Sequence, residues 1–281
     1  MINKYLLTIP TRSNAYDPFY AKDKRCASLF SSCLTTWMKE LPKDQFTILS
    51  FCGATREMLH SDQDFFINSY LPNFTHVSSN EMTPKPDNYL NLPLKTLAIF
   101  EKALQIDQDW DFLIKCDDDI YVNTQNLINF LEDKDPNSHF YTGNPIGFKK
   151  YNAQVKRLLF GYIDYNDYMK DIESLPDDFK YAQGGLYIIS RHTLTKSIEY
   201  LKKVLQTQGP EDFLVALGIY KATGHRINLG YRNGNIFYSA VGLNEKNCDW
   251  EIDILKNLIS LHPLKNPNCI FSIHNKLQSL K

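Results

Sequence analysis

The sequence lacks a surplus of charge of either sign, and it lacks any long uninterrupted apolar run. Its 31 basic and 32 acidic residues leave a formal net charge of −1, and the lysines and arginines are scattered singly. No broad basic surface is therefore available to hold a phosphate polymer, and nucleic acid is not expected as a partner. No stretch reaches the roughly 18 apolar residues that a membrane helix needs. The opening MINKYLLTIP is also too short for a secretory signal. We expect a soluble chain without a membrane span.

Cysteine is sparse, and no two cysteines form a C-x-x-C pair. The six cysteines therefore indicate neither a zinc ribbon nor a dense disulfide framework. Internal repeats and low-complexity tracts are also missing. With 43% hydrophobic residues over 281 positions, the chain can bury a full core. We expect one domain or two fused halves.

Apolar runs and helical spacings alternate along the chain. The predicted strands are 5–9, 46–52, 111–115 and 181–190, and the predicted helices are 25–41, 92–106, 126–132, 193–205 and 211–223. The strand–helix–strand order is typical of an α/β domain with a parallel sheet. Residues 136–176 are predicted to form loops and short strands that line a cleft. Residues 248–281 are predicted to be mixed strand and loop.

Three aspartates, Asp117, Asp118 and Asp119, directly follow the strand predicted at 111–115. In open α/β sheets, ligands bind at this carboxyl edge. Adjacent carboxylates repel one another unless a cation lies between them. Mg²⁺ or Mn²⁺ is the natural cation, because it accepts one or two carboxylates and completes its shell with phosphate and water. The alternative is that the triplet only ends the strand and caps the following turn.

Two further features are candidates for the same site. Gly184 and Gly185 stand at the start of a predicted strand, where missing side chains would let a ligand approach the backbone. Glu211 and Asp212 open a predicted helix, where a carboxylate could act as a general base. The alternative for this acidic pair is a first turn that the helix dipole favours.

The order of these pieces resembles glycosyltransferase family 31, the fringe and β-1,3-glycosyltransferase family. Four motifs carry the resemblance, which extends from about Asp87 to Asp212. They are DNYLNLPLKT (similar to D-x-Y-x-N-L-T-x-K-T, with Pro93 where Thr is usual), FLIKCDDDIYVN (K-x-DDD-x-F/Y-V-N), YAQGGLYIIS (Y-x-x-G-x-G/GG-x-Y-x-x-S) and EDF with a later glycine (E-D-V-x-x-G). Four motifs in the family's order are far more specific than any one of them.

The resemblance implies a GT-A fold over residues 1–281, with a Rossmann-like nucleotide-sugar-binding half at 1–123 and an acceptor-binding half at 124–281. It implies an inverting, metal-dependent glycosyltransferase that moves a hexose or N-acetylhexosamine from a UDP-sugar to a glycan hydroxyl. The 3-hydroxyl is the family's usual acceptor position. Two alternatives stay open: a carbohydrate-binding protein that has lost turnover, and a metal-dependent nucleotidyl- or phosphate-transfer enzyme.

The same resemblance implies individual roles. Asp212 is the expected general base, and Asp119 is the expected ligand of Mn²⁺ or Mg²⁺. A late histidine is the family's second metal ligand. His262, in ISLHP, matches that position, and His274 is the alternative. The residues expected to contact the UDP-sugar are Thr11, Arg25, Lys95, Asp117, Asp118, Gly184, Gly185 and Glu211.

The resemblance also bears on location. The animal and plant members of the family are Golgi membrane proteins, whereas this chain starts at Met1 and runs directly into a predicted strand. We favour a viral or bacterial member that works in the cytoplasm. The Golgi lumen is the expectation if the chain has been trimmed.

Overall fold

The structure is a computed structural model, and it describes residues 2–10, 25–53, 77–83, 92–148, 170–207, 209–229, 236–239, 248 and 250–280. Within these residues, the strands are β1 (Tyr5–Pro10), β2 (Phe46–Gly53), β3 (Val77–Thr83), β4 (Phe112–Cys116), β5 (Tyr121–Val122), β6 (Tyr141–Gly147), β7 (Lys180–Ser190), β8 (Ile236–Ser239) and β9 (Leu258–His262). The helices are α1 (Arg25–Thr35), α2 (Leu92–Gln105), α3 (Thr124–Leu131), α4 (Arg191–Leu205), α5 (Glu211–Thr223), α6 (Ile252–Lys256) and α7 (Pro267–Gln278). A 3₁₀ helix, Trp37–Glu40, follows α1.

The main sheet has six strands in the order β3-β2-β1-β4-β7-β6. β1 pairs in parallel with β2 and β4, and β3 pairs in parallel with β2. β7 is antiparallel to both β4 and β6. The smaller sheet has the order β5-β9-β8. The predicted α/β class is therefore confirmed, and the antiparallel pairing of β4 with β7 places Cys116, the last residue of β4, opposite Leu186.

Helices cover both faces of the main sheet, so its central strands are buried on both sides. Every residue of β1 is buried, as is typical of a parallel strand between two helical layers. The side chains alternate between two cores: Leu7 packs with Phe30 on one face, and Leu6 packs with Phe100 on the other. The sheet therefore supports its carboxyl edge rigidly, which is what a binding site on that edge requires.

α5 packs closely against α4 and β7. Gly218 permits this contact, because a Cβ there would lie 2.6 Å from Cδ2 of Leu201 in α4. The helix ends at Gly224, whose φ of 70° is the left-handed conformation that favours glycine. Its first turn, Glu211 and Asp212, faces Gly184 in β7. The close packing fixes where these two carboxylates stand.

Two local predictions are wrong. The helix predicted at 25–41 ends at Thr35, and Trp37–Glu40 is a separate 3₁₀ turn. The tail predicted as mixed strand and loop contains α7, which is capped by Asn266 and stabilised by its buried apolar face. A disulfide between Cys248 and Cys269 fastens α7 to the preceding segment.

Candidate functional site

The aspartate triplet directly follows β4 in the chain, and its first residue is hydrogen-bonded to β7. The backbone N–H of Asp117 donates to the carbonyl of Gly185 at 2.9 Å. Asp119 is turned inward, with 6% of its surface exposed, and its carbonyl accepts from the N–H of Leu264 at 2.7 Å. Asp118 is half-buried beside them. The triplet is thus fixed to two neighbouring segments instead of standing free in a loop.

His262, the last residue of β9, lies against two of these aspartates. Its Nε2 is 3.0 Å from Oδ1 of Asp119 and 3.5 Å from Oδ2 of Asp117. The three side chains offer one ligand atom each, and these atoms all lie within 4.8 Å of one another. Two carboxylate oxygens and an imidazole nitrogen are a donor set that suits Mn²⁺. The residues present therefore fit a divalent metal ion.

His274, the alternative ligand, lies elsewhere. It is buried in α7, with Nδ1 3.3 Å from the hydroxyl of Tyr121 and Nε2 3.8 Å from Oε1 of Glu40. The structure thus brings His262, and not His274, to the aspartates.

Gly185 makes room for the His262 ring. A Cβ on Gly185 would overlap Cγ and Nδ1 of that ring. We predicted that the paired glycines allow a ligand to approach the backbone. At Gly185 the group that approaches is instead the imidazole of the protein's own His262. Glycine is required here because no other residue leaves this space open.

The opposite charges of His262 and the two aspartates stabilise one another. Burial alone would lower the pKa of His262, but its contacts with Asp117 and Asp119 raise that pKa to about 9. Burial alone would raise the pKa of both aspartates, yet their contacts hold both pKa values below the usual range. For Asp117 these contacts are with Lys115 and His262, and for Asp119 His262 is the main partner. Lys265 also forms an ion pair with Oδ2 of Asp119. Both carboxylates are therefore ionised, as metal binding requires, whereas His262 would release its proton when a metal ion binds.

Lys115 is a buried cation that the sequence reasoning did not single out. It is 0% exposed, and its Nζ donates to Oδ1 of Asp117 and to the carbonyl of Gly184, both at 2.5 Å. Burial would lower the pKa of Lys115, but the carboxylates of Asp117 and Glu211 raise it above its ordinary value. The available signal was a lysine inside the apolar strand FLIKC. Lys115 links the aspartate group to the acidic pair on α5.

Asp212, at the start of α5, contacts Gly184 of β7. Its Oδ2 accepts from the N–H of Gly184 at 3.0 Å, and its Oδ1 accepts from the N–H of Phe213 at 2.9 Å. Burial, and then the negative charge of Glu211, raise the pKa of Asp212 to about 7. A carboxylate with such a pKa is suited to take up and release a proton near neutral pH.

Glu211 points into the protein. It is 4% exposed, and its Oε1 accepts from the hydroxyl of Tyr187 at 2.6 Å and from that of Thr96 at 2.9 Å. Burial raises the pKa of Glu211. These bonds join α5, β7 and α2 at the edge of the site.

The structure says less about three other residues that were predicted to contact the UDP-sugar. Lys95 is buried in α2, with 6% of its surface exposed. Arg25 begins α1, and its side chain lies outside what the structure describes. Thr11 lies outside the described residues.

A mixed α/β sheet whose edge carries an Asp–Asp–His group that fits a metal ion, with a half-buried carboxylate close to it, is the arrangement of a GT-A glycosyltransferase. Comparison with known proteins agrees with this class. The family model described as Galactosyltransferase matches residues 82–228, just over half of the chain, and the chain therefore belongs to this family. The predicted resemblance to family 31 and the GT-A fold are confirmed.

Curated relatives match over a limited length. The mouse acetylgalactosaminyl-O-glycosyl-glycoprotein β-1,3-N-acetylglucosaminyltransferase is 29% identical over 114 residues, which is 38% of this chain and 26% of the relative. The human UDP-GalNAc:β-1,3-N-acetylgalactosaminyltransferase 1 is 26% identical over 141 residues, or 50% of this chain and 40% of the relative. The chain thus matches between about a quarter and two fifths of these relatives' length.

Solved structures show weaker similarity. An active-site mutant of LgtC has a TM-score of 0.45 at 11% identity, and the match covers 98% of this chain and 95% of that one. TarS from S. aureus has a TM-score of 0.41 at 14% identity, covering 80% and 57% respectively. At these TM-scores the likeness adds no argument. Across the described part of the chain, every helix is too short or too polar to cross a bilayer.

Proposed function

We propose that the chain transfers a hexose or N-acetylhexosamine from a UDP-sugar to a hydroxyl of a glycan acceptor, with inversion at the anomeric carbon. One observation carries the proposal. The Asp117–Asp119–His262 group lies against Gly185 of β7, and the carboxylate of Asp212 accepts a hydrogen bond from the adjacent Gly184. Transfer with inversion needs a group that stabilises the charged leaving diphosphate and a base for the acceptor hydroxyl. The Asp–Asp–His group and Asp212 are the candidates for these two tasks.

The aspartate–histidine side would receive the diphosphate of the sugar donor. Asp117, Asp119 and His262 would hold Mn²⁺ or Mg²⁺, which when bound neutralises charge on the departing diphosphate. Asp118 and Lys95 are proposed to contact the sugar donor, as are Thr11 and Arg25. Lys115 keeps Asp117 ionised and fixed in direction, because it donates to Oδ1 of that carboxylate.

Asp212 would act as the base. As the acceptor oxygen bonds to the anomeric carbon, its proton passes to the Asp212 carboxylate, and the bond from that carbon to the diphosphate oxygen breaks to release UDP. Attack from the face opposite the leaving group inverts the configuration. The N–H groups of Gly184 and Phe213 hold both carboxylate oxygens in place throughout.

The first experiment is calorimetric titration of the purified chain with UDP, with and without Mn²⁺, followed by a screen of UDP-sugars for release of UDP. The names of the relatives put UDP-N-acetylglucosamine and UDP-N-acetylgalactosamine first in the screen. We expect binding that depends on the metal and turnover of one sugar donor with a glycan acceptor. A protein that binds no uridine nucleotide contradicts the proposal.

Two variants separate the roles. Asp212→Asn should lower transfer by about 100-fold or more while UDP–Mn²⁺ binding survives, because it removes only the base. Asp119→Ala should lose both, because it removes a metal ligand. Asp178→Asn is the matched control, since that carboxylate is exposed and paired only with Arg226 among the contacts described. Near-normal turnover in either site variant would contradict its role.

Transfer to the 3-hydroxyl is part of the proposal and has its own test. Linkage analysis of the product by NMR should place the new bond at position 3 of the acceptor sugar. A bond at another position would overturn this part and leave the transferase assignment standing.

A further inference from the structure

Glu211 was expected to contact the sugar donor, but its carboxylate is engaged inside the protein. Oε1 accepts hydroxyl hydrogen bonds from Tyr187 of β7 and Thr96 of α2. Hydroxyl donors stabilise the ionised form of a carboxylate. Two protein donors thus occupy Oε1, and the residue is 4% exposed. Glu211 is therefore a fixed and buried group whose effect on the site must act through its neighbours.

The nearest functional neighbour is Asp212. A Cβ placed on Gly184 would lie 3.5 Å from Oε2 of Glu211 and 3.6 Å from Oδ2 of Asp212, so both carboxylates gather around this one glycine. Glu211 is buried and Asp212 is half-buried, so water screens the repulsion between their charges less than it would at the surface. Two carboxylates at such a site resist simultaneous ionisation, and the proton is retained by the one with fewer stabilising partners.

The partners of the two carboxylates differ. Glu211 has two hydroxyl donors, whereas Asp212 is held by the backbone N–H groups of Gly184 and Phe213. The cation Lys115 favours the ionised form of both carboxylates, and it is the main such influence on Glu211 but a lesser one on Asp212. The stronger set favours a charged Glu211, and its charge then disfavours ionisation of Asp212.

The other titratable groups that face this pair come from the sheet. Lys115 of β4 is positive, and Asp117 beyond it is negative. Tyr141 of β6 and Tyr187 of β7 are buried phenols whose raised pKa values, caused first by burial, keep them neutral. Thr96 of α2 does not titrate. Glu211 is thus the negative charge next to Asp212 in the described structure.

We propose that Glu211 is a positioning residue whose fixed negative charge keeps Asp212 basic enough to accept the acceptor's proton near neutral pH. The inference rests on the proposed function for the role of Asp212, while the electrical coupling of the two carboxylates exists with or without substrate. The two carboxylates at the start of α5 then have different roles: Asp212 accepts the proton, and Glu211 sets the proton affinity of Asp212.

The decisive variant is Glu211→Gln, because glutamine keeps an oxygen that accepts from Tyr187 and Thr96 but removes the charge. In the ligand-free protein, a ¹³C NMR titration of the Asp212 carboxyl should show its midpoint falling by about one pH unit or more. In turnover assays, the acid limb of kcat/KM should move to lower pH by the same amount. At pH 8 the rate should fall several-fold, because a weaker base takes the proton less well.

Two further variants complete the test. Thr96→Val removes one hydroxyl donor to Glu211, makes that carboxylate harder to ionise, and should shift the Asp212 midpoint in the same direction by a smaller amount. Glu199→Gln is the matched control, since it makes the same change at an exposed residue of α4 that pairs with Lys202. It should leave both the midpoint and the rate unchanged.

The outcomes are distinct. An unchanged Asp212 midpoint in folded Glu211→Gln overturns the inference, even if its activity is low, because Glu211 would then have only a structural role. If the midpoint falls but no UDP-sugar is consumed by the wild-type chain, the coupling stands and the proposed transferase activity fails.

Discussion

At the residue scale, Gly185 is the position on which the shape of the Asp117–Asp119–His262 group depends. Its missing side chain is replaced by the ring of His262, which thereby reaches Asp117 and Asp119. The oxygen atoms of the group come from Asp117 and Asp119 after β4, whereas its nitrogen atom comes from the distant His262 and depends on this one close contact.

We therefore predict that Gly185→Ala weakens metal binding. The added methyl would overlap the His262 ring, and overpacking of this kind costs about 1–3 kcal/mol. Calorimetry should show Mn²⁺ affinity for the UDP-bound protein reduced at least about tenfold, together with a lower Tm. Gly147→Ala is the matched control, since a Cβ there meets nothing within 4 Å. Unchanged affinity in Gly185→Ala would contradict the assignment of His262.

At the element scale, the first turn of α5 is subject to one electrostatic effect that stabilises its two carboxylates and to others that destabilise them. The helix dipole stabilises Glu211 and Asp212, yet burial and mutual repulsion raise the pKa of Asp212 to about 7. A carboxyl group whose pKa is raised on folding stabilises the fold below its unfolded pKa, and this stabilisation is lost as the pH rises through about 7. The turn is therefore a site where function costs stability.

We predict that Asp212→Asn stabilises the protein at pH 8 and not at acid pH. Asparagine keeps an oxygen for the N–H of Gly184 and carries no charge. The gain at pH 8 should be at least about 1 kcal/mol, or roughly 2–4 °C in Tm, and it should shrink towards zero as the pH falls to about 4. Differential scanning calorimetry at the two pH values is the measurement. An equal gain at both would show that the charge of Asp212 is not the cause.

At the scale of the whole molecule, the two halves expected from the sequence share their sheets. β4 lies in 1–123 and pairs with β7 of 124–281, and β5 pairs with β9. The Asp117–Asp119–His262 group likewise joins Asp119 from one half to His262 from the other. Each half alone would expose an unpaired edge and an open core.

We predict that the chain unfolds in one cooperative transition and that 1–123 expressed alone does not fold. Coincident loss of far- and near-UV circular dichroism on heating is the first measurement, and amide dispersion in the NMR spectrum of the fragment is the second. Two resolved transitions, or a folded fragment, would show that the halves are independent domains.

The sequence determined the elements whose periodicity is local. Strands β1, β2 and β4 and helices α2, α4 and α5 were predicted to within a few residues, because apolar spacing depends only on neighbouring residues. The family resemblance was also readable, since its motifs are contiguous. α7 was missed: its buried residues have helical spacing, but residues 248–281 were predicted to be mixed strand and loop.

Only the tertiary structure decided which distant residues meet. It brought His262 instead of His274 to Asp119, filled the space at Gly185 with an imidazole ring, and placed Lys115 between the aspartates and α5. No spacing along the chain encodes these contacts, because strand order and helix packing set them across more than 60 residues of separation. The sequence by itself determined which groups could perform the chemistry. The packing of β7 against β4, β9 and α5 decided how they are arranged, since close-packed elements leave each side chain one position.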